Sequence, residues 1–137
     1  MPDFVLHPRL AADTRAIAEL PLCRVLLMND SRFPWLILVP RRAGARELVD
    51  LAPEDRRRLA EETDAAARAL RDACPTDKLN IAAIGNIVEQ LHVHIVARRK
   101  GDAAWPGVVW GHGAATPYEP ATAAALAADL ARRLMTE

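Results

Sequence analysis

Two histidines two residues apart, His92 and His94, lie in the run Gln90-Leu91-His92-Val93-His94-Ile95-Val96-Ala97-Arg98, which is otherwise mostly apolar and β-branched. Successive side chains of a strand point to opposite faces, so Gln90, His92 and His94 share one face and Leu91, Val93 and Ile95 the other. At a strand rise of about 3.3 Å per residue the two imidazoles stand about 6 to 7 Å apart, close enough to contact one phosphate or one metal ion. Three chemistries fit such a pair. Two imidazoles can sit half-exposed on the solvent side of a sheet. They can ligate a metal, but zinc takes four ligands, and His7, His112, Glu89, Cys23 and Cys74 show no metal-ligand spacing, so no metal is expected. Or one neutral imidazole can attack phosphorus, splitting a displacement into two steps, while its neighbour holds a phosphoryl oxygen.

The elements that must position this pair can be traced along the chain. The spacing predicts a first helix over 9–20, capped at Asp13 or Thr14 and stopped by Pro21. Residues 22–29 read as a strand ending in the turn Asn29-Asp30-Ser31-Arg32. The run 35–39 is apolar on both faces, as a central strand covered on each side must be, and Pro40 ends it. A helical turn over 47–51 leads to a long helix over 53–73, where Pro53 suits the first turn and Leu59, Thr63, Ala66, Leu70 and Ala73 recur at helical spacing. Pro75 terminates it. Residues 79–84 read as a strand, Gly85-Asn86 as a turn or bulge, and 88–98 as the strand carrying the histidines. Residues 99–118, rich in Gly, Pro and Trp, form a long loop in which Trp105 and Trp110 pack onto the body. Pro120 opens a last helix with Leu126, Leu130 and Leu134 on one stripe. The fold class is α+β: an antiparallel sheet of about five strands, a long helix and a C-terminal helix in one domain over 1–137.

Composition narrows the function classes. With 18 basic and 18 acidic side chains the net charge is zero, which argues against a nucleic-acid binder needing a broad positive surface. The clusters Arg41-Arg42, Arg56-Arg57-Arg58 and Arg98-Arg99-Lys100 read first as solvated faces. The apolar run 33–40 is far shorter than the roughly 18 residues a membrane span requires, so no membrane partner is expected. The start Met-Pro-Asp carries no secretory pattern, and Cys23 and Cys74 read as reduced thiols, so the expected location is cytoplasmic.

The run Leu36-Ile37-Leu38-Val39-Pro40-Arg41, the long helix, Leu79-Asn80-Ile81 and the histidine segment together resemble the histidine triad family, in a bacterial subgroup with a Gln-x-His-x-His variant of the motif. The likeness extends over about residues 20–100. It implies a nucleotide-binding hydrolase or transferase that cleaves a phosphoramidate or phosphoanhydride bond at the α-phosphate through a nucleotidyl-histidine intermediate. By position, His92 would be the nucleophile, His94 would bind phosphoryl oxygens or assist the leaving group, and Gln90 takes the first triad position. The resemblance also implies a homodimer, a nucleotide or dinucleotide substrate and no cofactor. Asn29 or Asp30 would hold the ribose, and Asn80 and Asn86 complete the expected nucleotide-binding set.

The chain departs from the family pattern in three places. Gln90 cannot exchange a proton as histidine does, although its amide can orient a neighbour. Trp35 stands where many members carry a histidine before the apolar strand. Gly85-Asn86-Ile87 replaces Gly-Gln-Ser, removing a hydroxyl. These losses motivate an alternative, a catalytically weak or silent nucleotide-binding protein, with a metal-binding protein as a further one. His112, between glycines, reads as a surface residue, and His7, before Pro8, as exposed.

Overall fold

The computed structural model describes residues 3–135; Met1 and Pro2, on which the expectation about a secretory signal partly rests, lie outside the described residues, as do Thr136 and Glu137. A short helix α1 (Pro8–Asp13) leads directly into strand β1 (Thr14–Glu19). Strands β2 (Cys23–Met28) and β3 (Trp35–Pro40) follow, then a 3-10 turn (Leu48–Asp50) and the long helix α2 (Pro53–Ala73). Strands β4 (Lys78–Ala82) and β5 (Val93–Arg98) precede the C-terminal helix α3 (Pro120–Met135). The five strands form one antiparallel sheet in the order β1-β2-β3-β5-β4, which is the α+β arrangement expected from the sequence.

Two expectations are corrected. The helix expected over 9–20 exists only to Asp13, and its second half is β1, which pairs with β2 from Thr14↔Met28 to Glu19↔Arg24. The composition Thr-Arg-Ala-Ile-Ala-Glu favours a helix locally; pairing with an apolar neighbour overrides that preference. Thr14 is therefore the end of α1 and not its start: its hydroxyl donates to the Leu10 carbonyl at 2.6 Å, and His7 is the N-cap. The second correction concerns the histidine strand, which begins at Val93 rather than at residue 88. Pairing starts where the neighbours allow it, at Leu38↔Val93 on one side and Ala82↔His94 on the other. Residues 88–92 approach as irregular chain, fixed by the Leu91 amide on the Ala45 carbonyl at 3.0 Å.

Alternation along the strands divides the core in two. Val25, Leu27, Leu36, Leu38, Val93 and Ile95 pack with Leu59, Ala66, Leu70, Leu130 and Leu134 of α2 and α3. Each fully buried leucine there contributes about 1.5–3 kcal/mol. On the opposite face Leu26, Trp35, Ile37, Val39 and Val96 pack with Leu10 of α1, Phe33, Val88 and Val109. Phe4 and Leu6 of the N-terminal arm lie partly buried on this second cluster. The two helical layers on one side leave the other to the arm, α1 and the long loop, and this second side carries the histidines.

A buried carboxylate locks the two halves of the helix side together. Glu62 of α2 accepts from the main-chain amides of Leu22 and Cys23 at 2.9 and 2.7 Å, supplying acceptors that the entry to β2 would otherwise lack. The Arg41 guanidinium donates to the carbonyls of Leu20, Pro21 and Leu22 from the other side of the same turn. Burial, with Glu62 adding to it, pushes the Cys23 thiol well above its ordinary range, so it is an inert core residue.

Candidate active site

His94 sits in β5 opposite Ile37 of β3, and Trp35 lies diagonally across from it, on the same face. His92 occupies the last residue before β5. Both imidazoles are about 5% exposed, with ring centroids 4.8 Å apart in an edge-to-face arrangement. They are therefore not a pair on an open solvent face. They share one wall of a cavity of about 640 Å³, a volume in the range of small-molecule sites.

Hydrogen bonding gives the two imidazoles opposite tautomers. His92 Nδ1 lies 2.7 Å from the Gln90 main-chain oxygen. A carbonyl only accepts, so Nδ1 carries the proton and Nε2 keeps a free lone pair. His94 Nδ1 lies 3.0 Å from Trp35 Nε1. An indole N–H only donates, so His94 Nδ1 is bare and the proton resides on Nε2. One ring thus offers a lone pair, and its neighbour carries an Nε2–H that the Ile84 carbonyl shares in the free site. Burial holds the His94 imidazole down at about 4, with the neighbouring His92 adding to it and a backbone hydrogen bond with Ile84 opposing. Burial likewise lowers His92, against its bond to Gln90. Both rings are neutral at physiological pH, the state in which an imidazole is nucleophilic.

The opposite wall is built from α1 and the β2–β3 turn. Asn29, Asp30 and Arg32 line the cavity there, and Asn86 lines it beside the histidines. The Asp30 carboxylate is buried, and burial raises its proton affinity, but the Arg32 guanidinium and the amides of Arg32 and Thr116 outweigh this and lower it overall. Two Arg32 nitrogens reach it at 3.0 and 2.8 Å. Asn29 Oδ1 accepts from the Tyr118 amide at 2.9 Å, tying the turn to the chain before α3.

Trp110 of the long loop also lines the cavity, edge-on to His94 at 5.4 Å and to Trp35 at 6.0 Å. Its indole N–H is buried and has no hydrogen-bond partner among the described residues. A buried donor without an acceptor is costly, and at a cavity wall it is a point at which a ligand oxygen can be held. Among the described residues no three His, Cys, Asp or Glu side chains converge on a possible metal position.

The sequence-derived set is thus only partly brought together. His92, His94, Asn29, Asp30 and Asn86 share the cavity. Gln90 lies beside a smaller cavity of about 280 Å³ that also touches His92 and Asn86, and its amide is turned toward the N-terminal arm. Asn80 departs from the expected set: it does not line the cavity, and its Oδ1 accepts from Arg98 at 2.9 Å. Arg98 is likewise no surface cation; it is buried, doubly bonded to Asp102 at 2.9 Å and stacked against Phe33 and Trp105. His112 is exposed as expected, with its carbonyl accepting from Arg32. His7 is half-buried rather than exposed. Sequence reasoning assigned no site role to Trp35, Trp110 or Arg9; the available signal was Trp35 itself, the first residue of β3, at the position where the family resemblance leads one to expect a histidine.

A buried pair of imidazoles in opposite tautomers thus stands at the mouth of β5 in a five-stranded antiparallel sheet. The HIT domain family matches residues 9–101. The chain belongs to this histidine triad family of nucleotide-binding hydrolases and transferases. It is 48% identical to a histidine triad protein of Sinorhizobium meliloti, with a TM-score of 0.93 over 95% of this chain and 96% of that one. A histidine triad protein of Bradyrhizobium japonicum is 46% identical, with a TM-score of 0.95 over 97% of this chain and 99% of the other. One from Marinobacter aquaeolei is also 46% identical, with a TM-score of 0.95 over 98% of each chain. No curated protein matches.

Proposed function

We propose that the chain hydrolyses a phosphoramidate or phosphoanhydride bond at the α-phosphate of a nucleotide, with His92 as nucleophile. The observation that carries this reading is the tautomer pair: a bare Nε2 on His92 beside an Nε2–H on His94, both at one cavity. The His92 Nε2 lone pair attacks phosphorus and forms an N–P bond. The bond to the leaving group breaks with its electron pair, and the leaving atom takes a proton from water. A second water then attacks phosphorus, the N–P pair returns to His92, and the proton of that water passes to solvent. With nucleotide bound, His94 Nε2–H turns from the Ile84 carbonyl to a phosphoryl oxygen, which supports the charge that builds there. The Nδ1–H of His92 stays on the Gln90 carbonyl and steadies the cationic adduct. Asn29, Asp30 and Asn86 hold the ribose and phosphate oxygens, and Trp110 N–H takes one further acceptor.

The test is turnover of adenosine 5′-phosphoramidate combined with intact-mass detection of the adenylated chain. His92→Ala abolishes both the adduct and multiple turnover while leaving the melting temperature near that of the parent; unchanged turnover in that variant would overturn the mechanism. A second reading, a nucleotide-binding regulatory protein without turnover, is favoured by one observation: the Gln90 amide is committed to the arm and offers the site no side-chain chemistry. Calorimetric binding of AMP with neither adduct nor product from the phosphoramidate would establish it. We further propose a cytoplasmic homodimer, supported by the open edge of β4, where Ile81 is 50% exposed.

A further inference from the structure

Gln90 stands at the first triad position, yet its side chain faces away from the reacting face. Its Nε2 donates to the Val5 carbonyl at 2.8 Å and its Oε1 accepts from the His7 amide at 2.9 Å. Residues 5 and 7 present a carbonyl and an N–H on the same side of an extended arm, so the primary amide meets them as a neighbouring peptide would. Two hydrogen bonds at the end of one side chain stop its rotation, and the main chain of Gln90 is fixed with it. That main chain carries the carbonyl which receives Nδ1–H of His92 at 2.7 Å. The arm is itself anchored: Phe4 and Leu6 pack on the cavity-side core, and the Arg24 guanidinium lies over the Phe4 ring at 5.5 Å.

The arm also continues into the cavity. His7 caps α1, its Nδ1 accepting from the Arg9 amide at 3.1 Å, and Arg9, Leu10, Ala12 and Asp13 of α1 form part of the cavity wall. An unbroken run of contacts therefore joins that wall through His7 and the Gln90 amide to the lone pair of His92. Resting on the nucleophilic role assigned to His92 above, we propose that Gln90 is a positioning residue. It clamps the N-terminal arm with its side chain and, through its carbonyl, sets the tautomer and aim of His92 in register with the α1 wall. The glutamine is then a replacement of a triad side chain by an arm clamp that acts on the nucleophile through the backbone.

Two near-isosteric variants separate this from a merely structural role. Gln90→Met keeps the side-chain length and removes both arm contacts. Gln90→Glu keeps an acceptor for the His7 amide but has no hydrogen for the Val5 carbonyl. Long-range 15N–1H NMR on the full chain reads the His92 tautomer without any substrate. In the parent His92 is a single Nδ1–H species; in Gln90→Met it becomes a tautomer mixture, with Gln90→Glu between them. With adenosine 5′-phosphoramidate, kcat falls about tenfold in Gln90→Met while KM stays within about twofold. A His92 tautomer and kcat unchanged in Gln90→Met would overturn the proposal. So would a change in KM alone, which would make Gln90 a ligand contact. If the parent itself forms no adduct, the nucleophilic reading fails, and the NMR series still decides whether Gln90 positions His92.

Discussion

Trp35 and His94 show how one side chain fixes the proton of its neighbour. A histidine at residue 35 would have two interchangeable ring nitrogens; the indole has a single, donor-only nitrogen, so it fixes the proton of His94 on Nε2. Trp35→Phe keeps the ring burial and removes that donor, costing about 1 kcal/mol in urea-induced unfolding. Acid stability follows from the burial of the His94 ring. His94 is held at about 4 by burial, with His92 adding to it, against an ordinary value of 6.5. The unfolded chain therefore binds a proton that the folded chain refuses as pH falls through this range. This contribution is complete above about pH 6.5 and is lost progressively toward pH 4, by up to about 1.4 kcal/mol per pH unit, with no dependence from this group at neutral and alkaline pH. Urea midpoints across pH 4–8 check the slope. In Trp35→Phe the slope is shallower, because hydrogen bonding to the neutral ring no longer opposes its protonation.

At the scale of elements, the loop 99–118 owes its form to the end of β5. Arg98 spans Asp102, Asn80 and the Gly107 carbonyl, while Asp102 accepts from the amides of Arg99, Ala104 and Trp105. The Arg98 hydrogen bonds, against an opposing burial cost, hold the Asp102 carboxyl at about 2. Arg98→Ala leaves that carboxylate buried without its cation, held only by the three amides, and the expected loss is about 3–5 kcal/mol in chemical unfolding. Because the same loop delivers Trp110 to the cavity, AMP affinity falls as well, as calorimetry on the folded variant would show. Elements whose signals are local were legible in the sequence: α2 runs from Pro53 to Ala73 as its Pro and apolar spacing require, and β3 is buried at every position. β1 was hidden because Ala, Arg and Glu favour a helix until a strand partner is present. The entry to β5 was hidden because alternation persists through Leu91 while pairing does not. His92 and His94 were legible from spacing, whereas the commitments of Gln90, Asn80 and Arg98 depend on partners distant in sequence.

Across the whole molecule the sheet separates two cores. Glu62, Arg41 and the leucines of α2 and α3 hold one side together; the arm, α1, the long loop and the imidazoles occupy the other. β4 is one of the two edges of the sheet, and light scattering of the parent is expected to give twice the chain mass, with Ile81→Lys shifting it toward the monomer; a monomeric parent would remove the dimer. Partition by the sheet also has a consequence for how such a chain can diversify. Strand residues alternate between faces, so neighbouring positions answer to different demands: Leu36 and Leu38 to the helix-side core, Trp35 and Ile37 to the second core and the cavity it borders. Selection for a new leaving group or base can rewrite every second residue of β3 and the turn beyond β2 while the helical layer stays intact. The fold thereby keeps the cavity side apart from the helical layer, and Trp35 is one residue of that side.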